Sequence, residues 1–330
     1  MSIFSDFVRR GSGSLAMPIA TYPGAHLIGQ TVRDMAVDGA VQHAASAALQ
    51  ESLGTPASLT AMDLSVEAEA FGAEVRMERD EVPTVIGRRV SSAAEIDALE
   101  VPPVGRGRTS VPLLAARLFA ETGSALVLGG MIGPFSLAGR LFGVSESLEL
   151  TLTEPDTTRA LLERTTSFLT AFARAFREAG AHGIIMAEPT AGLLSPRGLT
   201  AFSSPYVRRI VEDVEDGRFS VILHNCGARN VHLSSVLASG VHAAHFGAPM
   251  DLPQALASVP EDVIVCGNLD PAAVFVGSSP SEIDARTRAL AKSVAGRRNV
   301  VLSSGCDVPP NAPLEGIRAF VGAVSSPSRS

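Results

Sequence analysis

Three side chains in this 330-residue sequence have the types and spacing to hold a metal ion. His224 and Cys226 stand in His-Asn-Cys-Gly, and Cys306 stands in Ser-Gly-Cys-Asp. Each motif follows an apolar run, residues 221–223 in the first case and 300–302 in the second. Strand side chains alternate with period two, so His224 and Cys226 project to one side. A third soft donor from near the end of the chain can close on them in space. Three nitrogen and sulfur ligands with an open fourth position describe a catalytic zinc site, because a structural zinc is closed by four protein ligands. Zinc held by two thiolates, with room for one more ligand, points to chemistry on a sulfur substrate.

Those donors need a frame. Eight short β-like runs (18–21, 59–63, 125–129, 183–187, 221–224, 242–246, 263–266 and 300–303) alternate with longer helical stretches such as 156–179, 203–214 and 282–294. Eight alternating units predict a closed α/β structure, the parallel (β/α)8 TIM barrel; an open doubly wound sheet is the alternative. In a barrel, His224 and Cys226 leave the fifth strand and Cys306 leaves the eighth at the C-terminal face, where active sites of such barrels lie. Residues 64–110 interrupt the alternation with a β-like piece at 82–86, then Pro102 and Pro103 and a Gly/Arg loop. They read as an insertion after the second strand, near the mouth of a single domain spanning 1–330 that also carries an N-terminal extension. Pro309 and Pro310 stiffen the chain after Cys306 and are expected to fix where it points. Residues 325–330 read as a frayed tail.

Composition narrows the partners. Net charge is −7, and the sequence has no Trp and two Tyr, which disfavours nucleic acid as a ligand. Apolar residues make up 46%, enough for a large core. No apolar run reaches the roughly 18–20 residues of a membrane span, and the first residues lack the basic-then-apolar pattern of a secretory signal. A cytoplasmic, soluble protein is expected, in which three cysteines serve as metal ligands or inert side chains.

Several segments carry a resemblance. MDLSVEAEAFGAEV, GMIGPFSLAGRLFG, EPTAGLLSPRGLTAFSSPYV, HNCG, GNLDP and GCDVPPNAPLEGIRAF together resemble the uroporphyrinogen decarboxylase superfamily, from about Ala61 to Val324. Within it the chain looks like the zinc-dependent cobalamin methyltransferase branch, whose zinc signature of His-x-Cys and a distant Cys falls on His224, Cys226 and Cys306. The decarboxylase branch fits worse. Its Arg-Gln-Ala-Gly-Arg-Tyr segment is replaced by TYPGAHLIGQTVRD, and its Gly-His-Gly pattern by GCDVPPNAP. Asp63 does match that branch's central aspartate.

The resemblance implies transfer of a methyl group between a methylated corrinoid (protein-bound methylcobalamin) and a thiol such as coenzyme M or homocysteine, with Zn2+ as cofactor. The corrinoid is expected on a separate protein, since no Asp-x-His-x-x-Gly motif occurs. The alternatives are a metal-independent tetrapyrrole decarboxylase, a substrate:corrinoid methyltransferase running the demethylation half, and a non-enzymatic corrinoid-binding or scaffold subunit. Glu188, at the end of the fourth strand, is a candidate fourth ligand or proton acceptor, and Asp63 a second candidate catalytic carboxylate. Asn268 and Asp270 end the seventh strand and are expected to orient substrate or corrinoid. Gly133 and Pro134 end the third and shape the mouth. Asp307 is expected behind the ligands or in a turn. Cys266 reads as a buried small hydrophobe, and His182, His242 and His245 as hydrogen-bonded core or loop histidines. Arg106 and Arg108 read as solvated loop residues, with contact to corrinoid or an anionic thiol as the second reading.

Overall fold

The computed structural model describes residues 2–11 and 15–325. Eight parallel strands form its centre: β1 (Leu15–Ala16), β2 (Ser58–Leu59), β3 (Val127–Ile132), β4 (Gly183–Ala187), β5 (Ser220–Asn225), β6 (Ala243–Phe246), β7 (Ile264–Leu269) and β8 (Val300–Ser304). The hydrogen-bonded order runs from β1 through β8, β7, β6, β5, β4 and β3 to β2. That is the cyclic order of a (β/α)8 barrel, opened only between β1 and β2. Side chains close this seam. One contiguous interior cluster contains Met17 and Ile19 after β1, Leu59 of β2, Leu128, Ile185, Ala187, Ile222, Ala243, Ile264, Cys266 and Val301. Every strand therefore sends alternate residues inward, as strand geometry requires.

The second strand is shorter than the sequence predicts, and the first lies at 15–16, before the expected 18–21; polar side chains explain why the ladder does not run on through either segment. The Ser304 hydroxyl receives the Ile19 N–H at 2.9 Å, in place of a backbone carbonyl. Thr60 Oγ1 takes the Gly130 N–H at 2.8 Å, and Gln42 takes the Ala61 N–H at 3.1 Å. The backbone stays bonded, but outside a regular ladder. The remaining six strands fall within a few residues of their expected positions.

The helices that matter for the site are α1 (Ile3–Arg10), α2 (Gly39–Leu53), α3 (Val66–Ala70), α4 (Pro134–Phe142), α5 (Pro155–Glu178), α6 (Ser204–Val214), α7 (Pro280–Ser293) and α8 (Leu314–Ser325). Helix α5 buries Leu161, Phe168, Leu169, Phe172 and Phe176 at helical spacing against the outer face of the strands. Its start is set by Pro155 at the first helical position, and that of α7 by a Ser279/Glu282 capping box. Helix α1 is the N-terminal extension. Phe4 and Val8 join the interior cluster, and the Phe4 N–H bonds Ser220 Oγ at 3.0 Å at the start of β5. This helix thus plugs the N-terminal end of the barrel and leaves the C-terminal end as its mouth.

Residues 64–110 hold α3, an antiparallel hairpin (Glu74–Arg76 with Thr84–Ile86) and a short helix at Ala93–Asp97. Arg108 corrects the solvated-loop expectation. It is buried, ion-paired with Asp63 and, at 2.7 Å, with Glu69, and it donates a hydrogen bond to Ser65 at 2.8 Å. Two carboxylates drew this guanidinium inside, while Arg106 two residues earlier stays exposed. Ser325 ends α8, and the rest of the predicted tail lies outside the described residues. No helix among the described residues is long and apolar enough to cross a membrane.

Candidate metal centre

The mouth brings three donors together. One nitrogen of His224 and the sulfurs of Cys226 and Cys306 all lie within 4.8 Å of one another. His224 is the last inward residue of β5, and Cys226 follows one pleat later, just past the strand end. Cys306 sits two residues beyond β8. His224 is buried, while both sulfurs remain partly exposed. Each sulfur shifts the other: the neighbouring Cys306 lowers the Cys226 thiol to about 7, and Cys226 raises that of Cys306 to about 12. Such a pair gives up its protons to a soft cation, which binds thiolates rather than thiols.

A chain of hydrogen bonds fixes how His224 presents itself. Ser303 Oγ lies 2.6 Å from the Met17 carbonyl and gives it the only hydrogen a hydroxyl has. Its 2.8 Å contact with His245 Nε2 therefore has the imidazole as donor. Burial, and then His224, push the pKa of His245 well below the ordinary histidine value, so the ring is neutral. With Nε2 protonated, His245 Nδ1 offers a lone pair, and His224 Nδ1–H donates to it at 2.8 Å. The lone pair of His224 is left on Nε2. That atom is buried and has no partner among the described residues. An orphaned lone pair beside two sulfurs fits a metal ion, and backing of a ligand imidazole by a hydrogen-bond acceptor is how proteins orient such ligands.

Glycines let the ligand loops pack backbone on backbone. A Cβ on Gly247 would overlap the Cys226 carbonyl oxygen, and one on Gly305 would sit 2.9 Å from the Ala248 nitrogen. Gly305 N–H bonds the Leu269 carbonyl at 2.5 Å, and Val308 N–H bonds that of Ile19 at 2.8 Å, so the Cys306 loop is tied to β7 and to the segment that follows β1.

The other residues singled out from sequence take different places. Glu188 does not join the cluster of donors. It caps α4, accepting from Phe135 N (3.0 Å), Ser136 N (2.9 Å), Ser136 Oγ (2.6 Å) and Ser203 Oγ (3.4 Å). Full burial lifts its pKa to about 7 against these four donors. Gly133 is the space this carboxylate occupies, since a Cβ there would overlap Glu188. Pro134 opens α4. Asp63 accepts from Ser65 N at 3.0 Å, Ser65 Oγ at 2.5 Å, and Arg108. Asn268 uses its amide to hold the Gly247 and Met250 carbonyls at 3.1 and 2.6 Å, bracing the loop that packs on Cys226. Asp270 caps the turn after it through Ala272 N and Ala273 N. Asp307 is half-buried, with one carboxyl oxygen enclosed and unpartnered among the described residues, and desolvation raises its pKa well above the ordinary carboxylate range. Cys266 is an inert interior thiol whose pKa burial pushes far up.

Sequence reasoning placed His245 correctly as a hydrogen-bonded core histidine and missed that its partner is His224. The signal was present. Strands β5 and β6 are sequential, and the register pairs His224 with His245 at matching positions.

Comparison with known proteins agrees with this architecture. The Uroporphyrinogen decarboxylase (URO-D) family model matches residues 17–326. Methylcobamide:CoM methyltransferase MtbA of Methanosarcina mazei is 30% identical over 274 residues, covering 82% of this chain and 79% of that protein. A uroporphyrinogen decarboxylase of Synechococcus sp. is 29% identical over 252 residues, covering 73% of this chain and 70% of that protein. Among solved structures, a methyltransferase from Methanosarcina mazei shares the fold with a TM-score of 0.88 at 22% identity, over 97% of this chain and 96% of that one. Matched over nearly its whole length, the chain belongs to the uroporphyrinogen decarboxylase (URO-D) family.

Proposed function

We propose that this protein moves a methyl group between a methylated corrinoid and a thiol, with zinc held by His224, Cys226 and Cys306. The observation that carries the proposal is the cluster itself: three soft donors within 4.8 Å, one of them a buried imidazole nitrogen with no other partner. The likeness to proteins named methylcobamide:CoM methyltransferase supports the choice of substrates. Zinc at this position supplies the Lewis acidity that makes a thiol lose its proton at neutral pH. The chain's own part is geometric. His245, Ser303 and the Met17 carbonyl hold His224 with its lone pair toward the sulfurs. Gly247, Gly305 and Asn268 keep the two cysteine loops in contact. Glu188 and Asp63 act as positioning carboxylates, one fixing the start of α4 and the other fixing Arg108.

In the transfer, the thiolate sulfur attacks the methyl carbon. A sulfur–carbon bond forms, the cobalt–carbon bond breaks, and its electron pair stays on cobalt as cobalt(I). The thiol proton leaves to solvent. The corrinoid approaches the mouth from outside on a separate protein, and residues 64–110 serve as a cover within one barrel domain.

The tetrapyrrole decarboxylase reading draws on the 29% identity to the Synechococcus enzyme. It needs cations for several substrate carboxylates, whereas Arg108 is already occupied by Asp63 and Glu69. A single experiment separates the two. Zinc-loaded protein is mixed with methylcobalamin and a panel of thiols, including coenzyme M and homocysteine, and the cobalt spectrum is followed. Zinc-dependent demethylation with appearance of the thioether is expected. Absence of reaction with every thiol, or an unchanged rate after chelation, refutes the proposal.

A further inference from the structure

We infer that Arg140 is the specificity residue for the thiol, recognising an acidic tail (sulfonate or carboxylate) at the end remote from sulfur. The inference rests on the methyl-transfer reading for the identity of the ligand, and on independent geometry for the site. A cavity of about 370 Å³ opens against the loop that follows Cys306, residues 307–310. Its lining includes Ser65, Val85, Arg140, Asp307 and Pro309. Asp307 in that lining is the residue after Cys306, which brings the cavity to the backbone of the third donor's loop. A few hundred Å³ suits a small molecule.

Arg140 is the one cation in that lining. It lies on α4, where all eight other residues are buried and it alone is partly exposed. The start of α4 is anchored by Glu188, which gives the arginine a rigid base. Among the described residues, Arg140 forms no ion pair and no hydrogen bond. Arg108, a buried arginine nearby, is the contrast: Asp63, Glu69 and Ser65 all engage it. Asp307 lines the same cavity, yet no ion pair joins it to Arg140. Burial withdraws part of this guanidinium from water, and the Asp63 charge offsets that loss only from a distance, with no direct ion pair between them. An anion entering the cavity relieves this, and the planar fork of five N–H donors matches two oxygens of a carboxylate or sulfonate. Binding at that end would leave the thiol end free to reach toward the sulfurs of Cys226 and Cys306. A thiol that is neutral or cationic at its far end gains nothing from this arrangement.

The test compares wild type with Arg140→Gln and Arg140→Lys. The probes are 2-mercaptoethanesulfonate, 3-mercaptopropionate and 2-mercaptoethanol as methyl acceptors, and ethanesulfonate and propionate as sulfur-free ligands followed by calorimetry. Circular dichroism and zinc content establish that each variant is folded and loaded. In Arg140→Gln, the kcat/KM ratio of an acid-tailed thiol to 2-mercaptoethanol falls by about 10- to 100-fold, chiefly through KM, as expected for lost charged hydrogen bonds. Arg140→Lys restores part of the ratio. The acceptor with the larger fall tells sulfonate from carboxylate. If no thiol is methylated by any form, but ethanesulfonate or propionate binds wild type and not Arg140→Gln, the anion site stands and the methyl-transfer reading falls. If methyl transfer proceeds and the ratio is unchanged in Arg140→Gln, the assignment of Arg140 is overturned.

Discussion

Replacing His245 by leucine tests the chain of hydrogen bonds behind the metal centre. In the wild type, His224 Nδ1–H is accepted by His245 at 2.8 Å, and both rings are buried, at 1% and 0% exposure. Leucine fills the space and accepts nothing. Water cannot take over in a site this closed, so the donor stays unsatisfied, at a cost of about 1–3 kcal/mol. His224 escapes that cost by moving its proton to Nε2 or by rotating, and either change removes the lone pair from the two sulfurs. A loss of this size corresponds to about a 10- to 100-fold rise in zinc Kd, which is also what removal of such a partner does at other zinc sites. The measurement is competition with a chromophoric chelator at fixed pH, repeated with cobalt(II) to read ligand geometry from its absorption bands. His245→Gln recovers part of the affinity, because its carbonyl accepts from His224 while its amide donates to Ser303. If folded His245→Leu binds zinc within about twofold of wild type, the ring of His224 is oriented by something else and the tautomer argument fails.

Three further outcomes follow from buried charge and close packing. Glu67 is fully buried, and burial raises its pKa from 4.5 to about 8. Its proton therefore stabilises the fold fully below pH 4.5, and this contribution fades as pH rises from there to about 8, by an amount on the order of 4 kcal/mol. Glu67→Gln, which mimics the protonated acid, should flatten that slope in urea melts between pH 5 and 8 and raise stability at the alkaline end; a retained slope would assign it to other groups. Arg108→Met leaves Asp63 without its ion partner in a buried site and should cost about 3–5 kcal/mol. A loss below about 1 kcal/mol in the same melts would be the value of a surface pair and would contradict the burial. Gly247→Ala places a methyl group on the Cys226 backbone, so zinc content measured by atomic emission should fall even where circular dichroism shows an intact barrel.

Much of the fold was legible because barrel strands repeat one pattern. Residues 183–187, 221–224 and 300–303 are short apolar runs bounded by turn residues, and each lies within a strand of the barrel. The second strand was overextended, and the first was placed too late in the chain, for a local reason. Whether the Ala61 N–H bonds a strand or Gln42 depends on α2 packing nearby, and one-dimensional pattern carries no record of that contact. The three donors were legible as well, since period two and the position after an apolar run are both sequence properties. The environment of each donor was not. Glu188 and Asp63 look like free carboxylates when read as letters; in space one caps α4 and the other holds an arginine 45 residues away.

The same limit hid Arg108 and Arg140 behind their residue type. Both are arginines near the barrel mouth, and only their surroundings separate the one engaged by two carboxylates from the one with no direct ion pair among the described residues. His245 shows what an extra step of reasoning would have recovered. Once strands are taken as parallel and sequential, inward residues at the same height become neighbours. His224 on β5, His245 on β6 and Ser303 on β8 all extend the inward rows begun by Ile222, Ala243 and Val301. A polar tier stacked on an apolar barrel interior must satisfy its own donors and acceptors. The one atom of these three side chains left without a partner among the described residues is His224 Nε2, on a ring that brings a nitrogen within 4.8 Å of the sulfurs of Cys226 and Cys306.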